Sequence, residues 1–232
     1  MTATIAKRGT RASLIIRDAR IVDPAAGIDN RTDVLIEKGL ITRIAPVKGK
    51  GGDVQVIDGA GRLLLPGFVD LHTHLRTPGR DDEEDMASGT AAAAAGGYVT
   101  ICAMPNTDPV VDNASVIASL TELAESEARV RVAFLGAISR GLKGGHLSDM
   151  WDMADAGAVA FTDDGRPVMD GGLLRSAFQA ARTVNLPLSL HCEDLDLAGS
   201  GSMNEGDVSA QLGLAGIPGA AESAAIARDL EI

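Results

Sequence analysis

From Gly67 onward, apolar runs and helix-patterned segments take turns along the chain. The apolar runs fall at residues 67–74, 98–104, 130–138, 158–162 and 186–192. Segments with helical spacing lie between them, at 82–95, 114–128, 147–156 and 171–184, and a last one follows at 220–230. Strands that read as continuous apolar runs are covered on both faces, and helical crossovers between them force a parallel sheet. The class is therefore α/β. Five strand–helix units fit an open sheet or the first five units of a (β/α)8 TIM-like barrel. A whole barrel takes roughly 250 residues by itself, and the stretch from Gly67 to Ile232 is well short of that.

The chain before Gly67 is patterned differently. Leu14-Ile15-Ile16 and Ala19-Arg20-Ile21-Val22 are β-rich and end at Asp23-Pro24. Residues 33–37 and 40–44 read as a hairpin turning at Lys38-Gly39. Residues 48–52 form a Gly/Lys loop, and 54–58 form another strand. No catalytic constellation is visible here. The expected division is a small β-sandwich-like domain over 1–65 and the N-terminal portion of a hydrolase barrel over 66–232.

Composition narrows the rest. Aromatics are only 3% of the chain, so the core should be Ala, Val, Leu and Ile. The net charge of −11 argues against nucleic acid and anionic membranes as partners. Cys102 and Cys192 lie in apolar runs and read as reduced core thiols of a cytoplasmic protein. No apolar run reaches membrane-span length. Residues 1–13 are basic but lack the apolar segment of a signal peptide.

The functional signal is where the polar residues sit. The first strand of the alternating region ends in His72, His74 and Arg76, and the second in Met104-Pro105-Asn106-Thr107. The fourth ends in Asp163-Asp164-Gly165, and the fifth in His191-Cys192-Glu193-Asp194. Sites in barrels and open α/β sheets form at the C-terminal ends of strands. Turn chemistry accounts for Asp-Gly or Pro-Asn singly. It does not explain why three of the four histidines stand at strand ends; the fourth, His146, follows Gly144-Gly145 and reads as a surface residue. Residues two apart on a strand share a face, so the imidazoles of His72 and His74 can reach one point. With His191 and one carboxylate of Asp163-Asp164 they form a nitrogen/oxygen set suited to Zn²⁺. A carboxylate can also bridge two metals ~3.5–4 Å apart, and water held by such a site has its pKa brought towards ~7. Adjacent strand residues face opposite ways, so only one of Asp163 and Asp164 can point inward. The acidic run from Asp81 to Asp85 needs no more than a solvated helix start. The Gly-rich segment at Gly199-Ser200-Gly201 lacks a following Lys-Ser/Thr and is weak evidence for phosphate binding.

These residues resemble a known family. Pro66-Gly67-Phe68-Val69-Asp70-Leu71-His72-Thr73-His74-Leu75-Arg76, Ala103-Met104-Pro105-Asn106-Thr107, Phe161-Thr162-Asp163-Asp164-Gly165, Leu190-His191-Cys192-Glu193 and Gly216-Ile217-Pro218-Gly219 are similar, in order, to the motifs of class I dihydroorotases. That is a branch of the amidohydrolase superfamily. Met-Pro-Asn-Thr also occurs in allantoinases. In allantoinases and dihydropyrimidinases, however, a carboxylated lysine stands where this chain has Asp-Asp-Gly.

The resemblance implies interconversion of N-carbamoyl-L-aspartate and dihydroorotate in pyrimidine biosynthesis, with a two-metal zinc site. His72 and His74 would bind one metal, Asp164 would bridge, and His191 would bind the second. His74, Leu75, Arg76 and Asn106 would hold the substrate, with the Arg76 fork and Asn106 on its carboxylate. The family's catalytic aspartate would lie beyond Ile232. The chain is therefore expected to be a fragment that is inactive and poorly stable alone, with no acid–base group of its own. A small-molecule substrate is implied, and the full-length protein could form a homodimer or a complex with aspartate transcarbamoylase. Two other readings compete: an allantoinase- or dihydropyrimidinase-like hydrolase, and a non-catalytic scaffold subunit of aspartate transcarbamoylase. The scaffold reading is disfavoured because the ligand set is complete up to His191.

Overall fold

The computed structural model describes residues 13–49 and 54–232; the basic segment 1–13, apart from Ser13, and residues 50–52 of the Gly/Lys loop lie outside them. The chain builds two larger sheets that share no hydrogen-bonded strand pair among the described residues.

The first sheet holds β1 (Leu14–Asp23), β2 (Ile28–Glu37), β3 (Leu40–Ile44), β4 (Gln55–Asp58) and β5 (Leu63–Leu64). The two β-rich stretches expected near the start are one ten-residue strand, β1, with a bulge between Ile16 and Ala19. Asp18 takes the extra position there at φ 59° and pairs with Arg31. The hairpin at Lys38-Gly39 forms as expected. Both residues have positive φ, 52° and 79°, the sense of turn that matches strand twist. β1 pairs antiparallel with β2 and parallel with β4 and β5. Ile15, Ala19, Ile21 and Val34 form its buried side.

The second sheet is parallel throughout. It runs β6 (Phe68–Thr73), β7 (Tyr98–Ala103), β8 (Arg131–Gly136), β9 (Ala160–Phe161) in that order. Helices α1 (Met86–Ala95), α2 (Ala114–Glu127), α3 (Met150–Asp155) and α4 (Gly171–Val184) alternate with the strands. The fifth strand expected at 186–192 is reduced to one parallel bridge, Phe161 with Leu188. The amide of Phe161 donates to Pro187 and that of Ser189 to Phe161, which continues the sheet for one register position only. Pro187 has no amide to lengthen the ladder.

Two helix starts come later than the spacing implied. α1 begins at Met86 because Asp85 caps it, accepting from the Ser88 amide while the Ser88 hydroxyl accepts from Asp85. The acids upstream are spent on the preceding loop. Asp81 accepts from the Thr77 hydroxyl and the Gly79 amide, and Glu83 faces Arg80 and Arg76. α3 begins at Met150 rather than at Leu147, since Leu147 is held in a bridge to Ser139. The segment after His191 holds four elements that the apolar patterning did not show: α5 (Leu195–Ala198), β10 (Met203–Asn204), α6 (Asp207–Leu212) and β11 (Gly216–Ile217), before α7 (Ala220–Glu231).

The main core lies between the second sheet and α1–α4. It is aliphatic, as the composition required, but Met86, Met150 and Met153 are fully buried in it, with Phe161 at its centre. Unbranched thioethers fill irregular gaps that a core poor in aromatics leaves. Cys102, Met104, Ala133 and Leu135 form a second layer on the opposite, inner face. Burial raises the Cys102 thiol above its ordinary pKa. Cys192 is only partly buried, and its thiol lies 3.8 Å from a carboxylate oxygen of Asp229. His146 is exposed, as expected. Among the described residues no helix is long and apolar enough to cross a membrane.

Candidate metal centre

The site forms where β6, β7 and β9 end. The strand ends are stitched together: the Thr73 hydroxyl donates to the Cys102 carbonyl at 2.9 Å, and the Met104 amide donates to the Thr73 carbonyl at 2.9 Å. This fixes the exit of β6, where His72 and His74 stand on one face with ring centroids 5.2 Å apart.

Asp164 comes to them from beyond β9. His72 Nε2 lies 3.0 Å from Asp164 Oδ1, and His74 Nε2 lies 3.8 Å from Asp164 Oδ2. The side chains of His72, His74 and Asp164 are 56%, 28% and 9% exposed, so the carboxylate forms the floor and His72 the open rim. One ligand atom from each residue falls within 4.8 Å of the other two. Bond lengths of ~2.0–2.2 Å in a tetrahedral site separate ligand atoms by roughly 3.3 Å. The trio needs only a small closure to hold a metal ion.

Asn106 sits between two members of this group. Its Nδ2 donates to Asp164 Oδ2 at 2.6 Å, because a carboxylate only accepts. Its Oδ1 therefore faces His74 Nδ1, at 3.0 Å, and takes that nitrogen's hydrogen. This leaves Nε2 of His74 as the ring nitrogen that could ligate a metal. A hydrogen bond that fixes the imidazole from behind in this way is usual for metal-ligating histidines. Sequence reasoning assigned Asn106 to the substrate alone and missed this contact; the paired side-chain amide and ring could be seen only with β6 and β7 side by side.

The Asp-Asp ambiguity resolves by where each side chain turns. Asp163 is 3% exposed and points away from the histidines. Its Oδ1 accepts from the amides of Ile138 (2.8 Å) and Ser139 (2.9 Å), and its Oδ2 from the Ser139 hydroxyl. Burial pushes its carboxyl pKa up, and the hydrogen bonds from Ser139 and Ile138 pull it partly back.

Two expected site residues, His191 and Leu75, are placed otherwise, and a third, Arg76, is held in a tight turn. His191 does not join the trio. Its Nε2 pairs with Glu193 Oε2 at 3.0 Å, on irregular chain past the single bridge at Leu188. With only that bridge to register it, the chain after Leu188 lacks the ladder that aims His72 and His74. Leu75 is 5% exposed and lies in the main core, so its side chain cannot face a substrate. Arg76 is the central residue of a tight turn closed by the Thr77 amide on the Leu75 carbonyl at 2.7 Å, with φ 58°. Such a conformation is strained for a residue with a Cβ, and strain of this kind collects at functional sites. Its Nε lies 3.7 Å from Glu83. The turn continues through Gly79, at φ 104°, where a Cβ would come within 2.3 Å of the Asp108 carbonyl oxygen. This close approach locks the Arg76 loop against the loop carrying Asn106.

The chain is 45% identical over 218 residues to a dihydroorotase of Geobacter sulfurreducens, covering 94% of this chain and 51% of that protein. It is 46% identical over 217 residues to a dihydroorotase of Syntrophotalea carbinolica, again covering 94% and 51%. The chain thus spans about half the length of the curated relatives it matches. The L-hydantoinase of Arthrobacter aurescens superposes with a TM-score of 0.73 at 22% identity, covering 95% of this chain and 50% of that one. At that identity the likeness speaks for the fold alone: the parallel sheet with its helices is part of a TIM-like barrel. A family model described as dihydro-orotase-like matches residues 61–232. That span takes in His72, His74, Asn106 and Asp164, and the chain belongs to the dihydro-orotase-like family.

Proposed function

We propose that this chain carries the metal- and carboxylate-binding part of a zinc-dependent dihydroorotase, interconverting N-carbamoyl-L-aspartate and dihydroorotate. The observation that carries the reading is the convergence of His72, His74 and Asp164, with Asn106 fixing His74 from behind. Two imidazoles and a carboxylate are a donor set suited to Zn²⁺. A zinc ion held there supplies Lewis acidity towards a carbonyl oxygen and a water nucleophile near neutral pH. His191 is assigned to a second ion, which requires its ring to leave Glu193. We take the chain to divide into a small β-domain (1–65) and a barrel portion (66–232).

The residues of the chain then have separate tasks. Arg76 presents a planar fork to the substrate carboxylate. The Nδ2 group of Asn106 has a second hydrogen left for the same anion. Dihydroorotate bears that carboxylate, whereas hydantoins and dihydropyrimidines are neutral rings, so Arg76 sets the preference. The strained turn at Arg76 holds the fork in place before substrate arrives. Among the described residues none has a clear claim to shuttle the proton, and lack of such a group costs typically ~10²–10⁴-fold in rate. Residues 1–232 alone are thus expected to bind better than they turn over.

The test is calorimetric. The zinc-loaded chain is titrated with dihydroorotate, N-carbamoyl-L-aspartate and an uncharged hydantoin, and compared with Arg76→Lys. The expected result is binding of the two carboxylates, little binding of the hydantoin, and a weakened carboxylate response in Arg76→Lys with zinc affinity unchanged. Equal binding of the hydantoin, or no effect of Arg76→Lys, would refute the assignment.

A further inference from the structure

We propose that Asp163 is a positioning residue for the metal centre: its buried carboxylate clamps the loop that follows β8 and thereby aims the neighbouring Asp164 at His72 and His74. The inference rests on the metal reading above, but concerns a residue that need not touch metal or substrate.

Asp163 is among the few charged side chains buried in the described structure. A carboxylate in such a place is costly unless it is fully hydrogen-bonded. Here three donors meet it, all from residues 138 and 139. Ile138 and Ser139 are themselves fully buried. The clamp extends further, since the Ser139 hydroxyl accepts from the Gly144 amide at 2.8 Å. The Ser148 amide donates to the Ile138 carbonyl at 2.9 Å, closing the same loop from its other end. Asp163 therefore ties the strand-end chain at 163 to a loop that is itself buried and cross-bonded.

Asp164 is the next residue. Its amide donates to the Thr162 hydroxyl at 3.0 Å, and the chain then turns through Gly165 at φ 65°. The backbone of Asp164 is thus held on one side by Thr162 and on the other by the Asp163 clamp. Its carboxylate, facing the opposite way from that of Asp163, meets His72 on β6 and His74 at its exit, with Asn106 bonded to both His74 and Asp164. Ligand groups on separately anchored elements give a tight site only if each anchor is stiff. Residues that orient ligands in this manner typically contribute 10–100-fold to metal affinity.

The experiment measures zinc affinity by calorimetry, and the visible spectrum of the cobalt(II)-loaded protein, for the chain and four variants. Far-UV circular dichroism of each metal-free protein checks that it is folded. Asp163→Asn keeps an acceptor for the two amides but puts an N–H donor opposite the Ser139 hydroxyl, which can then no longer donate there. It should weaken zinc binding roughly 10-fold and change the cobalt band, with little change in the dichroism. Asp163→Ala should weaken binding roughly 100-fold. Ser139→Ala removes one donor to Asp163, together with the acceptor of the Gly144 amide, and keeps the test open if Asp163→Ala fails to fold; it should resemble Asp163→Asn. Asp164→Ala should abolish binding. Zinc affinity and cobalt spectrum unchanged in a folded Asp163→Asn and in Ser139→Ala would overturn the positioning role while leaving the metal centre standing. If the unaltered chain and Asp164→Ala both fail to bind zinc, the metal reading itself falls, and this inference with it.

Discussion

Leu75 stands between two proposed site residues, His74 and Arg76, yet its side chain belongs to the core. Replacing it with alanine therefore tests how the site is anchored. Losing three carbons at ~0.8 kcal/mol each gives about 2.4 kcal/mol from transfer alone. The void left behind brings the expected loss to about 2.7–5 kcal/mol, a large fraction of a typical stability. The structure also names the partner that would fill the void. A Cβ on Gly89, in the first turns of α1, would lie 2.6 Å from Leu75 Cδ2, with Glu84 the next nearest neighbour at 3.2 Å. In the unaltered chain Gly89→Ala gains ~1 kcal/mol of helix propensity but overpacks Leu75 by ~1–3 kcal/mol. With Leu75 already truncated the clash is gone and the propensity gain remains. The double variant should therefore be more stable than Leu75→Ala alone, by up to about 1 kcal/mol. The coupling between the two sites should be about 1–3 kcal/mol, the size of the relieved clash. Urea unfolding of the four proteins, followed by circular dichroism, measures it. Additivity within ~0.5 kcal/mol, or a loss below ~1 kcal/mol for Leu75→Ala, would refute the packing argument.

Three other outcomes are expected. Asp85→Ala removes the cap of α1 and should lower the urea midpoint in the same assay, with Asp85→Asn close to the unaltered chain. Zinc at 100 times its dissociation constant should stabilise the chain by ~2.7 kcal/mol. That gain should disappear with a chelator or in His72→Ala; a shift that persists in His72→Ala places the metal elsewhere. Finally, the Thr77 hydroxyl and the Gly79 amide hold the Asp81 carboxyl below its ordinary pKa, against burial and the charge of Asp85. A group whose pKa is lower when folded adds stability above its unfolded value, ~3.9, and loses it as pH falls through the folded value. The stability difference between the chain and Asp81→Ala should therefore be present at pH 7 and shrink below about pH 4; a difference independent of pH contradicts the assignment of these contacts.

Much of this architecture is legible in the order of the residues, because local periodicity decides it. Alternation of apolar runs with helical segments fixes a parallel sheet, and a period of two puts His72 and His74 on one face. Lys38-Gly39 names its own hairpin. The same periodicity shows that Asp163 and Asp164 must face apart, but not which of them faces the histidines. That choice belongs to tertiary structure: the buried amides of Ile138 and Ser139, in the loop after β8, capture Asp163 and leave Asp164 for the site. Partners distant in sequence made the other decisions too. Thr77, Gly79 and two arginines drew Asp81 and Glu83 away from α1, so the helix began at its cap. Leu75 lies in a motif that resembles a substrate-binding stretch, yet α1 covers it, and a side chain so covered is core. His191 ends an apolar run like the other strand ends. Pro187 limits the pairing of that run to one bridge, and without a ladder to aim it the ring turned to Glu193. Local spacing sets which face a side chain takes, and only the packed neighbours determine what is waiting on that face.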